Sequence, residues 1–144
     1  MEKLRIGVLG VSNHFIKRIA LPLQKTSYCC IYAIASRQRL KAEEIAANFN
    51  IPLVCNNYEE LISNPEVDAI YNPLPNHLHA EWTIKALEQG KPVLCEKPFG
   101  MNETEAKKMA DVSNITGIPV MEAFMYKFHP MWKHVRNLVK TNHI

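Results

Sequence analysis

The sequence predicts an α/β fold, a doubly wound parallel sheet of the Rossmann-like kind. Three observations lead there. Short apolar runs recur along the 144 residues, each bounded by turn residues and too brief for a buried helix. Such runs suit strands covered on both faces of a parallel sheet. Helix-period segments alternate with them. The links are short, and no repeat, linker or low-complexity stretch intervenes, as expected where strands are joined by crossover helices.

Leu4-Arg5-Ile6-Gly7-Val8-Leu9-Gly10 reads as the first strand, ending in glycine. A helix capped near Ser12 or Asn13 follows and runs to about Lys25, with Pro22 bending its last turns. Cys30–Ala35 reads as a second strand with Ser36-Arg37 at its end, and Ala42, Ile45, Ala46 and Phe49 then mark the core face of a helix. Pro52–Cys55 is a short third strand. Asn57-x-x-Glu60 is a capping box for a brief helix that stops before Pro65. Asp68–Asn72 is the fourth strand. The loop Pro73-Leu74-Pro75-Asn76 leads into a helix with a Glu81–Lys85 pair that ends at Gly90.

Val93-Leu94-Cys95 is the fifth strand, cut off by Glu96, Lys97 and Pro98. Pro98 biases Lys97 away from the helical region, so the strand runs straight to the rim. Asn102-x-x-Glu105 makes a second capping box, its helix ends at Gly117, and Ile118–Ala123 is the sixth strand. Pro130 to about Lys140 is a basic amphipathic helix. Met131, Val135, Leu138 and Val139 face one way, and Lys133, His134, Arg136 and Lys140 the other. That pattern fits a core-facing helix with a solvated side, a partner helix or a membrane-surface helix.

Hydrophobic residues make up 47% of the chain and charged residues 22%, the balance of one globular domain with a real core. The net charge of +3 is mildly basic. No Lys/Arg stripe with interleaved aromatics appears, so no nucleic acid is expected, whereas a phosphate-bearing small ligand suits the charge. No apolar stretch reaches the length of a membrane span, and no membrane partner is expected. Met1 to Arg5 run straight into a strand-like segment, so no signal peptide is expected and the protein reads as cytoplasmic.

Cys29, Cys30, Cys55 and Cys95 show no C-x-x-C spacing and read as buried, reduced thiols. The Asn-x-Thr triplets at Asn102 and Asn114 are then irrelevant as glycosylation sites. His77 and His79 form one pair and His129 and His134 another, but no cysteine is placed to complete a zinc set, and no metal is expected. No Ser-His-Asp spacing or nucleophile elbow is visible.

Three strand ends carry the chemistry. Gly10-Val11-Ser12-Asn13-His14-Phe15 keeps the first glycine of a G-x-G-x-x-G dinucleotide fingerprint. Ser12 is small enough to let a phosphate approach. Phe15 departs from the pattern and predicts looser helix–strand packing or a shifted register, and a plain strand-to-helix turn reads as well.

Ser36 lies 21 positions beyond Phe15, near the offset at which such folds read the adenosine ribose. A carboxylate there would bond the 2′-hydroxyl of NAD. Ser36-Arg37, with Arg39 and Lys41 behind, suits a 2′-phosphate instead, since arginine makes bidentate, charge-assisted bonds to phosphate. An ordinary basic first helical turn is the plainer reading, but cations are mildly unfavourable at a helix N-terminus. NADP is therefore expected over NAD. Glu96 and Lys97 fall at the carboxyl end of the fifth strand, where open α/β sheets bind ligands.

The stretches Gly7–Phe15, Ala33–Arg37, Tyr71–Trp82, Leu94–Phe99 and Glu122–Pro130 together resemble the glucose–fructose oxidoreductase/inositol dehydrogenase (Gfo/Idh/MocA) family. Glu96-Lys97-Pro98 is that family's most specific signature. Asn72-Pro73-Leu74-Pro75-Asn76 with His79, and Ser36-Arg37, look most like its NADP-dependent branch of xylose dehydrogenases and dimeric dihydrodiol dehydrogenases.

The resemblance implies that Gly10, Val11, Ser12, Asn13, His14 and Phe15 cradle a pyrophosphate, and that Ser36, Arg37 and Lys41 hold the 2′-phosphate. It implies that Pro73, Leu74, Pro75, Asn76 and His79 line the path to the nicotinamide. Glu96 and Lys97 would flank the nicotinamide ribose, with Lys97 the catalytic lysine. Removing hydride from a carbinol needs its hydroxyl deprotonated, and the charge of an oxidised nicotinamide would favour the free amine of Lys97 while Glu96 would oppose it. Lys127 stands where the family usually has arginine and lacks its fork geometry.

The expectation is then a nucleotide-binding domain over residues 1–123 and a crossover helix over 124–144 that opens a truncated C-terminal α/β domain. Such a chain would be half of an NADP-dependent oxidoreductase acting on a sugar or diol, inactive alone, and self-associating through its exposed C-terminal helix. The alternative is a non-catalytic NADP-binding or sensor module completed by a partner chain. A Rossmann-like domain for a methyl donor is disfavoured by Arg37, which would meet no phosphate there.

Overall fold

The computed structural model describes residues 3–143. Met1, Glu2 and Ile144, with the expectations about where the chain begins and ends, lie outside the described residues. Six strands are seen: β1 (Leu4–Leu9), β2 (Cys29–Ala35), β3 (Leu53–Cys55), β4 (Ala69–Asn72), β5 (Val93–Cys95) and β6 (Val120–Glu122). All pair in parallel, in the order β3-β2-β1-β4-β5-β6. The order reverses between β1 and β4. That is the switch point, where the strand ends leave a crevice.

Alternation along each strand feeds two cores. Leu9, Ala33, Ala35 and Ile70 point to one face, under α4 (Tyr58–Ser63), α5 (His79–Glu88) and α6 (Glu103–Thr116). Val8, Ile34 and Tyr71 point to the other, where Phe15, Ala20, Ala42, Ile45 and Ala46 meet them. The last three belong to α3 (Arg39–Phe49).

The helix after β1 is one rod in three pieces: α1 (Asn13–Phe15), a π-helical stretch (Ile16–Ala20) and α2 (Leu21–Leu23). Ser12 caps it, its Oγ accepting the Phe15 N–H at 3.0 Å. Just upstream of Pro22, where the expectation placed a bend, the helix widens, because Pro22 has no N–H to continue the regular ladder.

Both capping asparagines act as expected. Asn57 accepts the Glu60 N–H at 2.7 Å and Asn102 the Glu105 N–H at 3.0 Å. The return bonds differ from a capping box. Glu60 accepts from the Asn56 N–H at 2.9 Å, and Glu105 from the Met101 N–H at 2.8 Å, each one residue before the cap.

A 3₁₀ turn (Met125–Phe128) leads from β6 to α7 (Pro130–Lys140). No residue of α7 is buried. Met131 and Val139 are each 55% exposed, so it is not a core-facing helix. Of the four thiols only Cys55 and Cys95 are buried; Cys29 and Cys30 are half-buried, and all are unpaired.

Candidate functional site

A cleft of about 750 Å³ lies along the carboxyl edge of the sheet at the switch point. Three strand ends and the loop after β4 build it. From the turn after β1 come Gly10, Val11, Ser12 and His14. Gly10 sits at φ +89°, and a Cβ there would lie 3.0 Å from Leu74 Cδ2. Only glycine takes this conformation freely, and its bare backbone lets a ligand approach the turn.

Two of the residues expected in the cradle are elsewhere. Phe15 is fully buried in the core, its ring 6.2 Å from that of Tyr71. A large aromatic on the inner face of the first helical turn gains more from burial than from a polar cleft. Separately, the pairing of β1 with β2 slips between Ile6 and Gly7. Asn13 is exposed and does not line the cleft.

From β2 come Ser36, Arg37 and, inside α3, Lys41. Ser36 Oγ accepts the Gln38 N–H at 3.1 Å, which leaves its O–H free to donate. Arg37 is exposed, and α3 starts at Gln38 without a side-chain cap. Arg39 is turned away, bonded to Glu43 at 2.7 Å and to Asn56. The Arg37 guanidinium, the Ser36 hydroxyl and an uncapped helix start therefore share one end of the cleft.

Pro73, Leu74, Pro75, Asn76 and His79 form the wall after β4. Buried Asn72 shapes that loop: Oδ1 accepts the Leu74 N–H at 3.3 Å, while Nδ2 donates to Thr83 Oγ1 at 3.1 Å and to the His79 carbonyl at 3.3 Å. His79 is fully buried, its ring between the Leu74 carbonyl at 2.7 Å and the Pro98 carbonyl at 2.8 Å. It is a clamp beneath the cleft wall.

At the other end stand Glu96 and Lys97. The Glu96 N–H donates to the Asn72 carbonyl at 3.0 Å, carrying the β4–β5 pairing to the rim. The Lys97–Pro98 peptide is cis, and the Phe99 N–H donates to the Glu122 carboxylate at 2.8 Å. Lys97 itself is exposed. Glu96 accepts the Tyr71 hydroxyl at 2.7 Å, and burial together with that carboxylate pushes the Tyr71 phenol well above its ordinary range.

Tyr58 and Gln38 also line the cleft, and the sequence reading passed over both. Tyr58 stacks edge-on against Trp82 at 4.9 Å, and burial raises its phenol while Arg37 partly offsets the rise. An aromatic opening a helix reads as core from sequence, so no local signal marks it. Among the described residues no group of three or more His, Cys, Asp or Glu is placed to hold a metal. Among the described residues no helix is long and apolar enough to cross a membrane.

Residues 4–124 match the model of the Gfo/Idh/MocA oxidoreductase family, NAD-binding Rossmann fold. A D-xylose 1-dehydrogenase (NADP(+)) of Haloferax volcanii is 38% identical over 138 residues, 96% of this chain and 42% of that protein. A trans-1,2-dihydrobenzene-1,2-diol dehydrogenase of Xenopus tropicalis is 33% identical over 134 residues, 93% of this chain and 40% of that protein. The crystal structure of a 3-ketoreductase from Actinomadura kijaniata in complex with NADP and TDP-benzene superposes with a TM-score of 0.89 at 33% identity. It covers 97% of this chain and 43% of that one. The chain spans about two fifths of the length of these relatives.

Proposed function

Since the chain belongs to the Gfo/Idh/MocA oxidoreductase family, we propose that it is the NADP-binding part of an enzyme moving hydride between nicotinamide and a sugar or diol carbinol. The observation that carries the reading is one cleft with Arg37 at one end and Lys97 at the other, spanning the switch point. Relatives named for NADP, for xylose and for a diol support the coenzyme and the substrate class. Residues 1–123 form the nucleotide-binding unit in this reading, and 124–144 the crossover.

The residues present fit a dinucleotide. The Cβ-free turn at Gly10 admits a pyrophosphate, and Val11, Ser12 and His14 border it. Ser36, Arg37 and Lys41 offer a hydroxyl and two cations to a 2′-phosphate at the uncapped start of α3. When bound, the nicotinamide supplies the hydride acceptor or donor. The Lys97 Nζ holds the substrate oxygen and takes or returns its proton, and Glu96 borders the same end of the cleft.

Lys97 is exposed, and the chain covers only two fifths of its relatives. Those two facts favour a chain that binds coenzyme but does not turn over alone. They equally support a binding or sensor module completed by a partner polypeptide. Unpaired cysteines suit a cytoplasmic protein. Isothermal titration calorimetry with NADPH and NADH tests the reading: saturable binding with NADPH preferred is expected. No heat from either coenzyme in a folded sample overturns it. NADP reduction that appears only on mixing with a second polypeptide favours the module.

A further inference from the structure

A carboxylate followed directly by an ammonium at a strand end invites an ion pair. Here the pair is not made. Glu96 Oε1 accepts the Tyr71 hydroxyl at 2.7 Å and faces His14 Nε2 at 3.3 Å, and Oε2 lies 3.4 Å from the Lys97 backbone N–H. Among the described residues, the His14 imidazole and not the Lys97 ammonium lies within ion-pair distance of Glu96. The Glu96 side chain is only 13% exposed, so its charge needs these donors, and without them it would draw in the nearest cation.

We propose that Tyr71 and His14 are positioning residues that hold the Glu96 carboxylate off the Lys97 ammonium, leaving that amine free for a substrate oxygen. The geometry is fixed from below. Tyr71 is buried in β4, and the Phe15 ring packs against it. The side chain that breaks the glycine fingerprint thus helps set the phenol under Glu96. His14 approaches from the first turn of α1, the element that borders the proposed pyrophosphate seat. The inference rests on reading Lys97 as the group that faces substrate.

The test uses the unliganded chain, so a failure of coenzyme binding would not register in it. Each lysine is acylated briefly with an N-hydroxysuccinimide ester at pH 8, and the rate at Lys97 is measured by peptide mass spectrometry against the other lysines. Tyr71→Phe keeps the buried ring and removes only the hydroxyl, and His14→Gln alters a partly exposed side chain that the core does not need. Release of Glu96 onto Lys97 lowers the Lys97 rate, by about threefold in Tyr71→Phe. Adding Glu96→Gln to either variant restores it. A fall in either single variant that Glu96→Gln cancels supports the proposal. An unchanged rate in both variants, or a fall that persists with Glu96→Gln, overturns it.

Discussion

The imidazole of His79 lies 2.8 Å from the carbonyl of Pro98, joining the first turn of α5 to the turn that carries Lys97. Its other ring nitrogen faces the Leu74 carbonyl at 2.7 Å. One buried side chain thus ties together the two loops that flank the cleft, and Glu122 holds the same turn from β6 through the Phe99 N–H.

Replacing His79 by alanine removes the ring that faces the Leu74 and Pro98 carbonyls and opens a buried cavity. The expected loss is about 2–4 kcal/mol of unfolding free energy, read from urea denaturation. His77, exposed two positions earlier, is the control. Its alanine variant should stay within about 0.5 kcal/mol of the parent. Equal effects at the two positions would remove the clamp.

Arg37 has no acidic partner among the described ion pairs and lines the cleft beside Tyr58. If it meets a 2′-phosphate, Arg37→Ala should weaken NADPH binding about tenfold or more, while NADH changes by about twofold or less. Fluorescence titration of both coenzymes measures the ratio. Equal weakening would remove the 2′-phosphate contact.

Asp68 accepts the Arg5 backbone N–H at 2.7 Å, and its side-chain bonds with Arg5 hold the carboxyl below the usual carboxylate range. A depressed folded-state value adds stability that is fully present above the unfolded value of about 3.9 and is lost as pH falls through the folded one. Denaturation midpoints of Asp68→Asn should therefore fall below the parent above about pH 5 and converge with it in stronger acid. A difference that persists unchanged into acid would show that the loss is steric.

The uncovered apolar face of α7 has a counterpart. An apolar hollow of about 460 Å³, lined by Ile6, Ile19, Leu94, Val120 and Met121 among others, lies open on the sheet. Concentration-dependent self-association in sedimentation velocity is expected, and Val135→Glu with Leu138→Glu should abolish it. A monodisperse monomer in the parent chain would refute this.

Much of the cleft was legible because strand ends announce themselves. Gly10, Ser36-Arg37, Pro73–Asn76 and Glu96-Lys97 each follow an apolar run directly, and the topology brings these ends to one edge. Tyr58 was not legible, because a core aromatic and a cleft-lining aromatic look alike in the chain. Phe15 was placed in the cradle by its position in a motif, but its size sent it into the core. His79 fell on the expected wall, yet its partners Leu74 and Pro98 lie in different loops, and no spacing reveals that pairing.

Local chemistry alone decides the strands, the asparagine caps, the glycine stops and the alternation of strand with helix, because hydrophobic period and backbone preference act between near neighbours. Which way Glu96 turns is a different matter. The next residue offers it an ammonium, yet Tyr71 and His14, distant in the chain, supply the donors that hold it. Hydrogen bonds and charges act through space, so only the packed sheet could choose between those partners.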